Sequence, residues 1–123
     1  MRPRVLRLLA PSLAAMLAAG AAAAAPRHAA NSPNPANDRL EKLTPAARVD
    51  ELARAVGHWC IGTEAFLMGV VASGTGAGNA YWSLKCADGS AWAIQIDPLE
   101  EFTAITCDEY KAASAGKECF KKF

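Results

Sequence analysis

The stretch Ala80–Ile96, AYWSLKCADGSAWAIQI, decides how the rest of the chain is read. Trp82, Leu84 and Cys86 alternate with Tyr81, Ser83 and Lys85, and Trp92, Ile94 and Ile96 alternate beyond a turn. A period of two identifies a pair of half-buried strands. The turn between them sets the register. A two-residue Asp88-Gly89 turn would place Leu84 opposite Ala93 and send Trp92 and Ile94 to the wrong face, because a slip of one residue inverts a strand. A three-residue loop, Ala87-Asp88-Gly89, with Gly89 in the left-handed position of a bulge, avoids this. It pairs Trp82 with Ile94 and Leu84 with Trp92, and sets Cys86 opposite Ser90. The apolar side chains then share one face, so this is the expected register.

Working outward from the hairpin, Asp97-Pro98 starts a second turn, kept wet by Glu100 and Glu101. FTAITC follows as a third strand, with Ile105 and Cys107 turned inward. DEYKAASAG reads as a short helix from Asp108 to near Gly116, after which KECFKKF returns Cys119 toward the sheet. On the other side, TEAFLMGVVA is an apolar run short enough to be strand or buried helix, and strand is the expectation. Before it, Thr44 offers a helix N-cap and Pro45 fits the first helical position. Ala47, Val49, Leu52, Ala53 and Val56 recur at helical spacing, Asp50 and Arg54 are placed as an i,i+4 pair, and Gly57 supplies a stop. The expected fold is therefore α+β: one N-terminal helix packed on a small antiparallel sheet of three to four strands, a short C-terminal helix, and two disulfides.

The disulfides follow from the cysteines. Cys60, Cys86, Cys107 and Cys119 are the 4 cysteines of a 123-residue chain. An even number in a short exported chain reads as a disulfide framework. A four-thiolate zinc site or a redox-active dithiol would want close pairs such as C-x-x-C, and none is present. Of the three possible connectivities, Cys60–Cys86 with Cys107–Cys119 is favoured.

Export is inferred from the first residues. Arg2, Arg4 and Arg7 precede an apolar run from Leu8 to Ala25 that ends in small residues fitting an A-x-A cleavage pattern. The alternative is a retained anchor, since the run approaches spanning length. Its alanine content and Pro11 weigh against that, so residues 1–24 are expected to be a signal peptide and no stable membrane anchor is expected after cleavage. Residues 25–43, rich in Pro, Asn and Ala, are expected to be a flexible linker, which places the disulfide-stabilised domain at 44–123. His28 falls in the linker and reads as solvated. The whole chain carries 13 basic and 12 acidic residues. Losing the three leader arginines leaves 10 against 12, a balance with no general attraction for nucleic acid.

The motifs for chemistry are weak. SGTGAGNAYW, Ser73 to Trp82, is glycine-rich, but a phosphate loop needs Lys where Thr75 stands. A dinucleotide fingerprint fits Gly74 and Gly76 and then fails at Asn79. A mobile connection is the expectation. His58 could serve as a base if a nucleophile and an orienting acid lay nearby; the plainer reading is a cation at a helix C-terminus. Asp97, Glu100 and Glu101 lack the interspersed pattern of a calcium loop. Neither a metal nor any other cofactor is expected. Trp59, Phe66 and Tyr81 do not all fit a small core, and Tyr81 beside Lys85 on an outer sheet face, with Trp59, would make an aromatic binding patch. Lys117, Lys121 and Lys122 with Phe120 and Phe123 are few for stable membrane binding.

AYWSLKCADGSAWAIQI, the later TAITC and the final CFKKF resemble small exported proteobacterial proteins of unknown function, over roughly Cys60 to Phe123. The shared pattern is W-x-x-x-C-x-D-G, a strand, and two further cysteines. The resemblance implies a location in the bacterial envelope, periplasmic or secreted, and assigns no functional residue. The function expected is a monomeric binding module for an envelope protein, with Trp59, Tyr81 and Lys85 as its candidate contacts. The alternatives are a small periplasmic enzyme using His58 and a thiol redox protein.

Overall fold

A computed structural model describes residues 32–123; the expected signal peptide, the start of the expected linker and His28 lie outside the described residues. Three helices and four strands follow in the order α1 (Pro35–Lys42), α2 (Pro45–Val56), β1 (Gly62–Val70), β2 (Ala80–Cys86), β3 (Ala91–Ile96), β4 (Phe102–Thr106) and α3 (Cys107–Ala113). The strands form one antiparallel sheet in the order β1-β2-β3-β4. This is an α+β fold with four strands and two disulfides, Cys60–Cys86 and Cys107–Cys119.

The central hairpin has the register that the alternation dictates. Trp82 pairs with Ile94 and Leu84 with Trp92. Gly89 has φ 89°, and the Cys86 N–H donates to the Ser90 carbonyl at 2.9 Å to close the loop. The apolar face so created is covered by α1 and α2: Ala36, Leu40, Leu52 and Ala53 pack with Trp82, Leu84, Ile94 and Ile96, all buried. Helix α2 begins as its sequence indicates, with the Thr44 side chain accepting from the Ala47 N–H and Pro45 in the first turn. Arg54 pairs with Glu51 at 2.7 Å rather than with Asp50, an i,i+3 contact of the same kind.

The linker expectation fails over its second half. Asn34-Pro35 opens α1, a helix of 8 residues whose Ala36, Asn37 and Leu40 are buried. Only one large apolar residue, Leu40, faces the core, so burial is secured by polar pairing. Asn34 caps α1 by accepting from the Asn37 N–H at 3.0 Å. Its Nδ2 donates to the carbonyls of Gly78 and Ile96 at 2.9 and 2.8 Å. Arg48 on α2 closes the other end, donating to the carbonyls of Leu40 and Glu41 in the last turn of α1 and of Leu43 just after it.

The second face of the sheet is not a solvent face. Met68, Ala93 and Tyr110 form a smaller buried cluster there, with Phe66, Tyr81, Ile105 and Cys119 packed around it. Its cover is α3 and residues 114–123. Ile105 therefore faces this second core and not the helix-covered one expected from the sequence, because its partner Ala93 lies on the face opposite Ile94, and Cys107 is the first residue of α3, not the end of the strand. Phe102 and Ala104 pack toward the first. Strand β1 reaches both cores by alternation, with Ala65 and Leu67 toward the first and Phe66 and Met68 toward the second, and a register shift between Leu67 and Gly69 returns Val70 to the first. Helix α3 starts with a capping box in which Thr106 and Glu109 satisfy each other's backbone N–H groups.

Candidate functional site

The three residues expected to form one binding patch are split by the fold. Tyr81 lies half-buried in the second core, its hydroxyl donating to Gln95 Oε1 at 2.9 Å and its ring 6.0 Å from Tyr110 and 5.9 Å from Phe123. The expected exposed Tyr81 surface is corrected by this, because α3 and the chain end cover that side of the sheet. Burial, with the Tyr81 phenol alongside, pushes the Tyr110 phenol up from its ordinary value. A cavity of about 120 Å³ remains between Tyr81, Gln95, Thr103 and Tyr110. Lys85 is exposed on the same face, with Nζ 4.0 Å from Glu64 and 5.5 Å from the Phe120 ring centre.

Trp59 stands elsewhere, and it is exposed. The chain from Gly57 to Gly62 leaves α2, passes Cys60 and enters β1. Cys60 is 7% exposed and is bonded to Cys86, itself 2% exposed, so the middle of this segment is fixed to the sheet. The residues on either side point out: Trp59 is 49% exposed and Ile61 is 72% exposed. The Trp59 indole meets Trp92 edge to face at 5.8 Å between ring centres. It also folds back over Gly57, where a Cβ would come within 2.6 Å of the indole nitrogen. Trp92 is held in turn, its Nε1 donating to Ser90 Oγ at 3.0 Å, and that hydroxyl donates to Asp88 at 2.6 Å. These bonds to Ser90 hold the Asp88 carboxyl below the usual carboxylate range. The indole is thus oriented by glycine, tryptophan and a disulfide while half its surface faces water. Ile61 was not among the residues expected to bind. Its signal was visible as a β-branched residue next to a cysteine, with no alternation to bury it.

His58 is exposed and lines a shallow depression of about 220 Å³ with Asp50, Arg54, Cys60 and Ile61. No hydrogen bond joins it to a carboxylate among the described residues, so the acid–base pair required by the enzyme alternative is not assembled there. All four cysteines are in disulfides. Among the described residues, no group of three or more His, Cys, Asp or Glu is placed to hold a metal ion, and no helix is long and apolar enough to cross a membrane.

The glycine-rich loop does not form a phosphate cradle. Three of its backbone N–H groups are engaged internally: Ala77 donates to Gly74, Gly78 to Val71 and Asn79 to Gly76, at 2.8–3.1 Å. No helix N-terminus follows, since β2 begins at Ala80. The end of the loop is pinned, with Gly78 buried against Pro33 and Pro98 and bonded to Asn34. Its glycines serve a tight reversal, with left-handed φ of 81°, 78° and 88° at Gly74, Gly76 and Gly78.

Comparison of the chain with known protein families, with curated proteins and with solved structures finds no match to any of them.

Proposed function

We propose that this chain is a small exported domain of the bacterial envelope that docks a protein partner on the surface formed by Trp59 and Ile61. The observation that carries the reading is the pairing of exposure with rigidity at these two residues, 49% and 72% exposed on either side of a buried, disulfide-bonded Cys60. Single exposed apolar residues are ordinary. An indole held in place by Trp92 and Gly57 is different, because it has little side-chain freedom left to lose on binding. Large aromatics in that state are the usual anchors of partner surfaces. The compartment is supported by the Arg2, Arg4 and Arg7 leader with its apolar run, and by two disulfides, which persist in oxidising surroundings.

The test is site-specific photocrosslinking in cells exporting the chain, with the photoreactive residue at position 61. The reading expects a discrete adduct that is lost in Trp59→Ala at a temperature where that variant is still fully folded by circular dichroism. Absence of an adduct, or one indifferent to Trp59→Ala, would overturn it.

A further inference from the structure

The two disulfides differ in exposure. Cys60 and Cys86 are 7% and 2% exposed, whereas Cys107 and Cys119 are both half-buried. The second pair ties the start of α3 to the last ten residues, 114–123. That strap lies over the second core. The Phe120 N–H donates to Ser83 Oγ at 2.8 Å, and the Phe123 N–H donates to the Met68 carbonyl at 3.3 Å. The Phe123 ring rests on Gly69, where a Cβ would come within 2.8 Å of it. Beneath are Met68, Ser83 and Tyr110, at 1%, 0% and 6% exposure.

Beyond these bonds the strap is held by ring contacts, Phe120 with Phe66 at 6.4 Å and Phe123 with Tyr81 at 5.9 Å between centres, none of them covalent. Its ion pairs, Glu118 with Lys111 and with Lys121, are at the surface, where such pairs stabilise little. Its backbone is also strained. Ala115 and Phe120 take φ of 56° and 59°, left-handed values that residues with side chains rarely adopt. Such conformations persist where the surroundings over-determine them. At Ala115 the surroundings are the C-terminal cap of α3, where the Gly116 N–H donates to the Lys111 carbonyl at 3.0 Å; at Phe120 the covalent bond from Cys119 to α3, one residue before, supplies the constraint.

We propose that Cys107–Cys119 is a redox latch: a dithiol reductant opens it ahead of Cys60–Cys86 and frees the strap from the aromatic face it covers. In the step, a thiolate of the dithiol attacks one sulfur of the bridge, the Cys107–Cys119 bond breaks, and a mixed disulfide forms. The second thiol then displaces the bound cysteine. Two electrons and two protons pass to Cys107 and Cys119, and the dithiol leaves as its own disulfide. The strap can then relax at Phe120, exposing Met68 and Tyr110. This device is independent of the Trp59 surface, which lies on the other side of the sheet beside the buried disulfide.

The test treats the oxidised protein with limiting dithiothreitol, follows alkylation of each cysteine by peptide mass, and follows nitration of Tyr110. The latch predicts that Cys107 and Cys119 become alkylated roughly tenfold or more faster than Cys60 and Cys86. Nitration of Tyr110 rises in step with them, while amide exchange over α2 stays unchanged. Cys107→Ser with Cys119→Ser should show the raised Tyr110 nitration with no reductant added. Equal rates for the two bridges, or opening of Cys107–Cys119 with Tyr110 still protected, would overturn the proposal. So would a double variant that fails to fold, since the latch requires a folded open state.

Discussion

The Trp82 indole N–H donates to Asn37 Oδ1 at 2.7 Å, a buried bond between residues 45 positions apart. It joins the short helix α1 to the centre of the sheet. Asn37→Leu would remove the acceptor and leave the indole N–H without a partner. Such an orphaned buried donor costs about 1–3 kcal/mol. The urea midpoint is expected to fall by a corresponding amount with the slope unchanged; an unshifted midpoint would show that α1 adds nothing to the domain.

Arg48 fastens the same region from α2. Its guanidinium donates to three carbonyls at the end of α1 and lies 5.4 Å from the centre of the Trp82 ring. A lysine cannot reproduce this fork. Arg48→Lys is expected to cost about 1.5–3 kcal/mol, the range for hydrogen bonds made by a charged group. Equilibrium unfolding followed by tryptophan fluorescence reads the change, and a lysine variant as stable as the parent would contradict the assignment.

The buried bridge closes the longer loop, 26 positions against 12. On the chain-entropy account, losing Cys60–Cys86 through Cys60→Ser with Cys86→Ser costs about 3.5 kcal/mol, and losing the other bridge costs about 3 kcal/mol. The larger loss is expected in the first double variant, which also puts two hydroxyls into the first core. Calorimetric midpoints of the two double variants test the ranking, and the reverse order would defeat it.

Glu118 sets a pH dependence in the strap. Hydrogen bonds from Lys121 and Lys111, with their charges, lower its pKa from 4.5 to about 2. The folded value is below the unfolded one, so the carboxylate's contribution is fully present above the unfolded pKa. It is lost as pH falls from there through about 2. The sign of the effect on the strap is thus a loss below about pH 4.5, and its size is small because both ion pairs are at the surface. A carboxyl titration of Glu118 by NMR is expected to have its midpoint near 2 at low salt, rising as salt screens the lysines. A midpoint at the ordinary glutamate value would remove the effect.

The hairpin and α2 were legible because each is specified locally. Trp82, Leu84, Trp92 and Ile94 share a face only if Gly89 closes a three-residue loop. Thr44-Pro45 marks a helix start directly before an apolar stripe. Helix α1 was missed because its stability comes from Asn34, Asn37 and Arg48 bonding to distant carbonyls and to Trp82, which apolar periodicity does not register. Asn34-Pro35, a cap followed by proline, with Asp38 in the first turn and Lys42 in the last, is the local signal that could have revealed it.

Tyr81 was misplaced for a related reason. Tyr81, Ser83 and Lys85 alternate as a wet strand face does, and what covers part of it is a lysine-rich chain end with no apolar period. The bond from Phe120 N–H to Ser83 Oγ spans 37 positions and depends on where the Cys107–Cys119 bridge brings the chain. Trp59 was identifiable as a residue too many for the first core. Its support by Trp92 and Gly57 emerges only when the Cys60–Cys86 bond sets α2 beside the hairpin turn.

Export, and the pairing of four sulfurs as Cys60–Cys86 and Cys107–Cys119, underlie both the proposed surface and the latch. Intact mass of the chain recovered from cells, after alkylation under denaturing conditions, tests them directly. The expected result is a leaderless mass with no alkyl group added before reduction and four added after it, and a non-reduced peptide map linking those two pairs. An alkyl group taken up without reductant, a retained leader, or a peptide joining Cys60 or Cys86 to Cys107 or Cys119 would contradict it.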